Sequence, residues 1–557
     1  MGLGVLEDKH FPYVPGTVLL EQEAASSTQH LKHGRGRNAN VVLSPQPSTD
    51  PNDPLNWPGW KKELVIVILC FGAMLNAGTN APLLNASYYP MAVEVNVDLT
   101  TLVMASGYNV LAAGLSGPFI SALSRKYGKR PIFLASTLFD IIGTAVAEAK
   151  ISYNYLLAGR IIQGFAMSAF ESLVIAVVGD LYFVHQRGLR IAALNFILQA
   201  AANLASIICG QVFASLGWLW LFHLFQIFLV IQFVLMFLFC PETTYVREAR
   251  YETDTNMDGN FDDLDKDGKR IQESKAQAAT ELESAITAPS KKTFVQELAI
   301  FTGVYSDENI LKCLCGPLLT LLNPITCYTV TTAAILNCWL VGGAIVLSGL
   351  LSGPPWLYNA AQVGYAGTGP FIGGLLASVV TAAAGDNLIK YIARRNRGVY
   401  EPEFRLLFMV LAAITAVPGF FAFGYTLSIG ASVYLVIFCQ GLLMFGVFVG
   451  IWSSMSYGLD AFRNLASETF VMIMTFKNLM FFGLSHYAND WVANKGPQEM
   501  IAVFQTLRDR FELGRFVTQQ DRAWNMHELV VFEYPETHVD DPGRGQVLAR
   551  TSFERVL

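Results

Sequence analysis

Charge is what this chain has least of. Of its 557 residues, 15% are Asp, Glu, Lys or Arg and 53% are hydrophobic, whereas soluble domains carry about a quarter charged residues. Mean hydropathy is +0.39, which excludes an ordinary soluble domain and points to an all-α polytopic membrane protein. No GxxxxGK(S/T) phosphate loop occurs, which argues against ATP-driven transport. Neither a nucleophile–base motif nor a metal cluster is present, so an enzyme is a poor hypothesis and no cofactor is expected. The eight cysteines (Cys70, Cys209, Cys240, Cys313, Cys315, Cys327, Cys338 and Cys439) lie in or beside apolar runs, without a disulfide framework or zinc spacing. The N-terminus lacks the short basic segment and apolar core of a cleaved signal peptide, so the first span itself should direct insertion. The net charge of -6 resides in loops and tails, and nothing implies nucleic acid.

Long apolar runs are what the chain has instead. Six fall at 63–84, 100–123, 131–149, 154–180, 190–213 and 218–240, and five more at 323–350, 361–385, 405–426, 431–459 and 467–493. Each is near the ~20 residues that a membrane helix needs. After Lys495 the run Met500 to Phe504 is broken by Arg508 and Arg510, so a twelfth span is missing or degenerate. The expected organisation is a disordered tail over 1–61, a six-span half over 62–240, an acidic linker over 241–312, a five-span half over 313–493 and a polar tail over 494–557.

Basic residues sort between alternate loops. One set holds Arg125, Lys126, Lys129, Arg130, Arg187, Arg190, Lys390, Arg394, Arg395, Arg397 and Arg463; the other holds Lys150 and Lys495. This asymmetry predicts a cytoplasmic N-terminus. The halves also echo one another, with Gln163-Gly164 in the fourth span matched by Gln440-Gly441 in the fourth span of the second half. Repeats of this kind mark transporters whose substrate sits near the midplane between halves.

The fourth span carries Arg160, Gln163 and Glu171 inside an apolar run. Ionisable groups there are expensive and usually face the bundle interior or a wet cavity. Arg160 and Glu171 are eleven residues apart, about three helical turns, so they share a face roughly 16 Å apart. Arg160 reads either as a proton-coupling group or as the partner of a carboxylate such as Asp140. Glu171 reads as a group for a cationic substrate or a proton, or as a neutral acid bonded to another helix. Lys477, inside the last span with no acidic neighbour one turn away, must find a partner on another helix or line the cavity. Tyr108, Asn109, Asn76, Asn80, Gln199 and Asn337 read either as hydrogen-bonding groups of the cavity or, more simply for any single one, as polar glue between membrane helices. The sequence Asp254, Asn256, Asp258, Gly259, with Asp265, partly matches a calcium loop but reads better as acidic linker. Asn85-Ala86-Ser87 is a glycosylation sequon in a loop expected outside.

Several stretches resemble the major facilitator superfamily, in its fungal branch of drug:proton antiporters. Ser124 to Pro131 (SRKYGKRP) resembles the superfamily's loop between spans two and three, with Gly128 as its turn glycine and Lys129-Arg130 as its basic pair; Arg160 to Gly164 resembles its fourth-span arginine motif. GDLYFVHQRG (179–188), PETTY (241–245), FTGVYSDEN (301–309), ARRNRGVYEPEFRL (393–406) and FKNLMFFGLSHYANDW (476–491) resemble a subfamily that includes organic-cation and polyamine transporters. Arg125 departs from the pattern, standing where the superfamily loop usually has an acid, and Cys209 to Trp218 lacks the antiporter Gly-Pro pair.

The resemblance implies a major facilitator fold of two pseudo-symmetric six-helix halves in the plasma membrane, acting as a monomer with a small molecule and protons as its partners. The expected activity is proton-coupled export of a secondary metabolite or toxic compound. Import of an organic cation or polyamine is an alternative, as is a transporter-like sensor or inactive truncated transporter. Arg160, Glu171, Lys477, Asp140 and Gln163 are the expected substrate and proton-coupling residues. Arg125, Lys126, Gly128, Lys129, Arg130, Arg394 and Arg395 are the expected gating residues.

Overall fold

An apolar run in lipid has no water to satisfy its backbone, so it winds into a helix that bonds to itself. The computed structural model describes residues 18–19, 47–48, 50–245, 291–306, 308–353, 356–395, 399–400, 402–461 and 466–495. Two compact units divide the chain, Met1–Glu512 and Leu513–Leu557. The second unit, the calcium-like stretch 254–265 and the position of any twelfth span all lie outside the described residues.

The first half contains α1 (Gly59–Ala73), α2 (Tyr88–Val95), α3 (Leu99–Tyr127), α4 (Lys129–Glu148), α5 (Tyr153–Leu181), α6 (Val184–Leu216) and α7 (Leu219–Phe239). After the single turn α8 (Phe294–Glu297), the second half follows as α9 (Ile310–Thr320), α10 (Pro324–Ser352), α11 (Ala360–Tyr365), α12 (Thr368–Arg395), α13 (Leu407–Ser428), α14 (Val433–Ala461) and α15 (Ala466–Lys495). Among the described residues, nine helices are long and apolar enough to cross a membrane, and α9 with the start of α10, bent by 81°, makes a tenth. The helix α15 is outside that set, with Lys477 and Asn478 near its middle. A two-residue strand pair joins β1 (Val18–Leu19) to β2 (Val399–Tyr400).

Two buried clusters fill the first half, one around Leu83, Tyr88, Leu102 and Phe222 and one around Val65, Phe133, Phe170 and Val177. A third, around Trp339, Phe420, Leu443 and Val447, fills the second half. Leu138, Phe139 and Ile142 on α4 and Val410, Ile414 and Phe421 on α13 stay exposed, as lipid-facing side chains do.

The structure adds detail at the tail, the linker and the sequon. Composition predicts an unstructured tail up to residue 61, but the chain is folded from residue 50, because Asp53 is fully buried and accepts hydrogen bonds from Leu55 N and from both N and Oγ of Ser48. The linker is likewise ordered at both ends, 241–245 and 291–306. The sequon is buried: Asn85 is 8% exposed and Ser87 1%, with Ser87 Oγ bonded to the Leu84 carbonyl, so the folded chain crowds the Asn85 side chain. Asn85→Gln should leave the electrophoretic mobility of the expressed protein unchanged, and glycosidase treatment should not shift the parent.

Helix approach is closest at glycines. A Cβ on Gly164 of α5 would lie 2.1 Å from the Asn109 carbonyl oxygen of α3, and one on Gly159 would lie 2.5 Å from the Gly143 carbonyl of α4. Small residues are what allow membrane helices to pack backbone to backbone. Gly164→Ala should therefore lower the thermal midpoint and the monodisperse yield of the purified protein. Gly179→Ala, whose Cβ would meet nothing within 4 Å, should change neither.

Candidate functional site

The polar site begins with a change of winding. Beyond Ala73 the chain continues α1 as a π-turn, Met74–Thr79, and then as a 3-10 turn, Ala81–Leu84. Pro82 has no N–H to donate, which removes one helical hydrogen bond from this turn. The carbonyls of Asn80 and Ala81 become acceptors for Arg160, whose Nη1 donates to Asn80 O at 2.8 Å and whose Nη2 donates to Ala81 O at 3.2 Å. Interruptions of this kind in membrane helices are tolerated where neighbouring groups re-satisfy the backbone.

Arg160 is completely buried. Its Nη1 also donates to Asn80 Oδ1 at 3.0 Å and Gln163 Oε1 at 3.2 Å, and its Nη2 to Ser106 Oγ at 3.0 Å. Gln163 Nε2 in turn donates to Thr144 Oγ1 at 2.7 Å. Asp140 is also completely buried, but among the described residues it forms no direct ion pair with Arg160. Asn80 stands between them, its Nδ2 donating to Asp140 Oδ1 at 3.3 Å. Of the two readings of Arg160, the carboxylate pair takes the form of an amide-bridged network, because the interrupted α1 offers nearer acceptors. Every member belongs to the first half.

Glu171 does something different. Its Oε1 receives Lys477 Nζ at 2.5 Å and its Oε2 receives Asn478 Nδ2 at 2.9 Å. Glu171 lies on α5 and both partners on α15, so this contact joins the halves inside the membrane-spanning region. The Lys477 and Glu171 side chains are 17% and 7% exposed. The five expected coupling residues therefore separate into a closed network within one half (Arg160, Gln163, Asp140) and a pair between halves (Glu171, Lys477).

The end of the bundle that carries the basic loops is held by charge. Arg125 Nη1 pairs with Glu468 Oε1 in the first turn of α15 at 2.6 Å, and its Nη2 lies 3.7 Å from Glu308 Oε2. Lys126 lends its carbonyl to Tyr305 N at 2.9 Å. Gly128 adopts φ +91°, and a Cβ there would lie 2.4 Å from Glu242 Oε2, so both backbone and space require glycine. Glu242 caps α4 by accepting from Lys129 N and Arg130 N at 3.0 Å each, and also from Thr243 N and Thr244 N. A carboxylate is favoured there by the helix dipole. Lys129 Nζ pairs with Asp180 at the end of α5, and Arg130 donates to the carbonyls of Cys240, Phe237 and Leu298. Burial, with Glu242 nearby, pushes the Tyr305 hydroxyl up, so it remains a neutral partner of Thr302. Arg395 is exposed and stacks on the Tyr391 ring, while the side chain of Arg394 lies outside the described residues.

Asn80, Ser106, Thr144, Asn478, Glu242, Glu308 and Glu468 were not singled out for these roles by sequence reasoning. A polar residue at helical spacing inside an apolar run marks four of them. Glu242 stood in plain sight in PETTY, without its partner being deducible.

At the opposite end the halves meet through small residues, a Cβ on Gly210 of α6 falling 2.5 Å from the Ala360 carbonyl of α11. Two helical halves, charged contacts between them and a long linker define a membrane transporter rather than an enzyme. The Major Facilitator Superfamily model matches residues 66–483, and the chain belongs to that family. It is 24% identical over 528 residues to the "Uncharacterized MFS-type transporter C1271.10c" of Schizosaccharomyces pombe, covering 88% of this chain and 89% of that one. It is 24% identical over 392 residues to the "Probable drug/proton antiporter YHK8" of Saccharomyces cerevisiae, covering 68% and 69%. The fold is similar to that of the xylose transporter XylE from E. coli in a partially occluded inward-open state, with TM-score 0.53 and 12% identity over 82% of this chain and 98% of that one.

Removing one partner of a buried ion pair strands the other charge, at about 3 kcal/mol or more, whereas removing both is far milder. Glu171→Gln and Lys477→Met should each lower the thermal midpoint, and the double variant should recover most of the loss. Thermal unfolding of all four proteins in one lipid or detergent checks this; additive losses would show that the pair does not act as a unit.

Proposed function

We propose that the chain is a proton-coupled secondary transporter of the plasma membrane that exports a small organic compound, either a secondary metabolite or a toxic compound. Its basic end and N-terminus face the cytoplasm, and it works as a monomer. The observation that carries this reading is the Glu171–Lys477 pair. It is the charged contact between α5 and α15 within the span, and a transporter that alternates its access must break and remake its inter-half contacts. A proton on Glu171 removes the attraction, and a cationic group of a substrate competes with Lys477 for the same carboxylate. The likeness to a drug/proton antiporter supports the direction and the coupling. Arg160, Asp140 and Gln163 keep α5 fixed against α1, α3 and α4 while this exchange takes place.

Purified protein in liposomes containing a pH indicator, given a panel of cationic, neutral and anionic organic compounds, tests the reading. Some compounds should drive proton movement opposite to their own, and Glu171→Gln/Lys477→Gln should abolish it. Proton movement in the same direction as the compound would replace export by the import reading, in which Glu171 holds an organic cation or polyamine. No proton movement with any compound, in protein shown to be folded, would favour the sensor or inactive-transporter reading.

A further inference from the structure

The chain comes back from the acidic linker along a stretch that is apolar although it belongs to no span. Between Thr293 and Ser306 the one charged residue is Glu297. Phe294, Val295, Ile300, Phe301 and Val304 are all more than half exposed, Val295 by 75%. Large apolar side chains grouped in this way on an outer surface mark a contact with something other than water.

The depth of the stretch is fixed along its length. Glu297 pairs with Lys61 at 2.7 Å, the Leu298 carbonyl accepts from Arg130 Nη2 at 3.1 Å, the Phe301 ring lies 6.1 Å from that of Tyr127, and Tyr305 N donates to the Lys126 carbonyl at 2.9 Å. Lys61 stands in the first turn of α1, Lys126 and Tyr127 in the last turn of α3, and Arg130 in the first turn of α4. The stretch is therefore tied to the ends of three spans, at the level where hydrocarbon gives way to headgroups. Trp60, exposed beside Lys61, and Trp57, whose ring centroid lies 4.3 Å from Lys61 Nζ, mark the same level, since tryptophan collects at the membrane interface.

Charge points the same way. Glu297 is neutralised by Lys61, so the stretch opposes no free carboxylate to lipid phosphates, and the exposed Lys291 and Lys292 stand at its start. Beyond it, Leu311, Leu318 and Leu319 of α9 are exposed in turn, so the apolar surface continues into the first bent span of the second half. Aromatic and aliphatic side chains with lysines at one edge are the pattern of a segment that lies in the interface plane.

We propose that residues 291–304 are a membrane-surface anchor. Phe294, Val295, Ile300, Phe301 and Val304 enter the boundary between headgroups and acyl chains of the leaflet at the basic end, and Lys291 and Lys292 lie among the phosphates of anionic lipids. The linker thus re-enters the fold along the bilayer surface. This inference does not depend on what is transported or in which direction, and its test reads no flux.

The test uses the full chain in lipid nanodiscs, with the exposed Cys315 and Cys327 replaced by Ser and a single environment-sensitive fluorophore placed at Val295→Cys or Val304→Cys. Lipid carrying a doxyl group near the top of its acyl chain should quench either label about twofold, and aqueous iodide should leave it nearly unchanged, as suits a segment buried at the boundary. Replacing part of a neutral bilayer by phosphatidylserine should strengthen the lipid quenching at Val295→Cys, and Lys291→Gln/Lys292→Gln should erase that difference, because each lysine near an anionic surface is attracted to it. Strong quenching by iodide with none by doxyl lipid would overturn the anchor. Protection from both quenchers would put a protein surface there, a second copy or a partner, and would overturn it as well. Phosphatidylserine dependence that survives in the double variant would overturn the role given to the two lysines.

Discussion

A charge inside hydrocarbon is tolerated only with partners supplied by the protein, since lipid offers none. That constraint orders this molecule. Arg160 and Asp140 are both fully buried, and the first half has been shaped to hold them. The winding of α1 changes after Ala73, two carbonyls turn toward the guanidinium, and Asn80 divides its side chain between Arg160 and Asp140. Gly164 and Gly159 let α5 approach α3 and α4 closely enough for these bonds to form. The distortion of α1 and the glycines of α5 are therefore two consequences of one buried arginine.

The ends of the helices follow a related rule. A helix N-terminus presents unpaired N–H groups, and at α4 these are met by a carboxylate from the far side of α7 rather than by a local cap. The pairing at the start of the third helix of each half is also repeated. Lys129 reaches Asp180 near the end of α5, and Arg405 reaches Asp460 near the end of α14. The repeated Gln-Gly has a matching origin. Gly164 meets a carbonyl of α3, and Gly441 meets the Gly369 carbonyl of α12, so in both halves the second and fourth helices touch at a glycine.

Much of this was legible in the sequence, for reasons that can be named. Apolar length alone placed the spans, since hydrocarbon thickness fixes the length of a helix that crosses it. Arg160, Glu171 and Lys477 stood out because charge is rare in such runs. What could not be read was partnership. Nothing in the spacing of Arg160 separates Asp140, on the same side of the bundle, from the backbone carbonyls of Asn80 and Ala81 in the irregular turn that follows α1. The partner of Lys477 lies 306 residues away, and no local pattern encodes that distance. The burial of the sequon was hidden for a similar reason, as the motif specifies residue types while burial depends on the approach of α6, whose Gly210 lies against Ala86. Arg125 looked like the loss of a gate charge until Glu468 was seen opposite it.

The echo between halves breaks at the position that matters most. Gln440 corresponds to Gln163, and three residues before it stands Ile437 where Arg160 would be. Among the described residues the second half thus shows no counterpart to the guanidinium network at this position, and Gln440 is buried without one. Its charged contribution to the interior is Lys477, carried on a different helix and directed at the first half. An arginine bonded to carbonyls, a serine and two amides within its own half has little reason to let go during transport. A lysine held by one carboxylate on the opposite half has a single such attraction to lose. The asymmetry is one of attachment: the buried arginine of the first half is held within that half, whereas Lys477 of the second is held by Glu171 of the first.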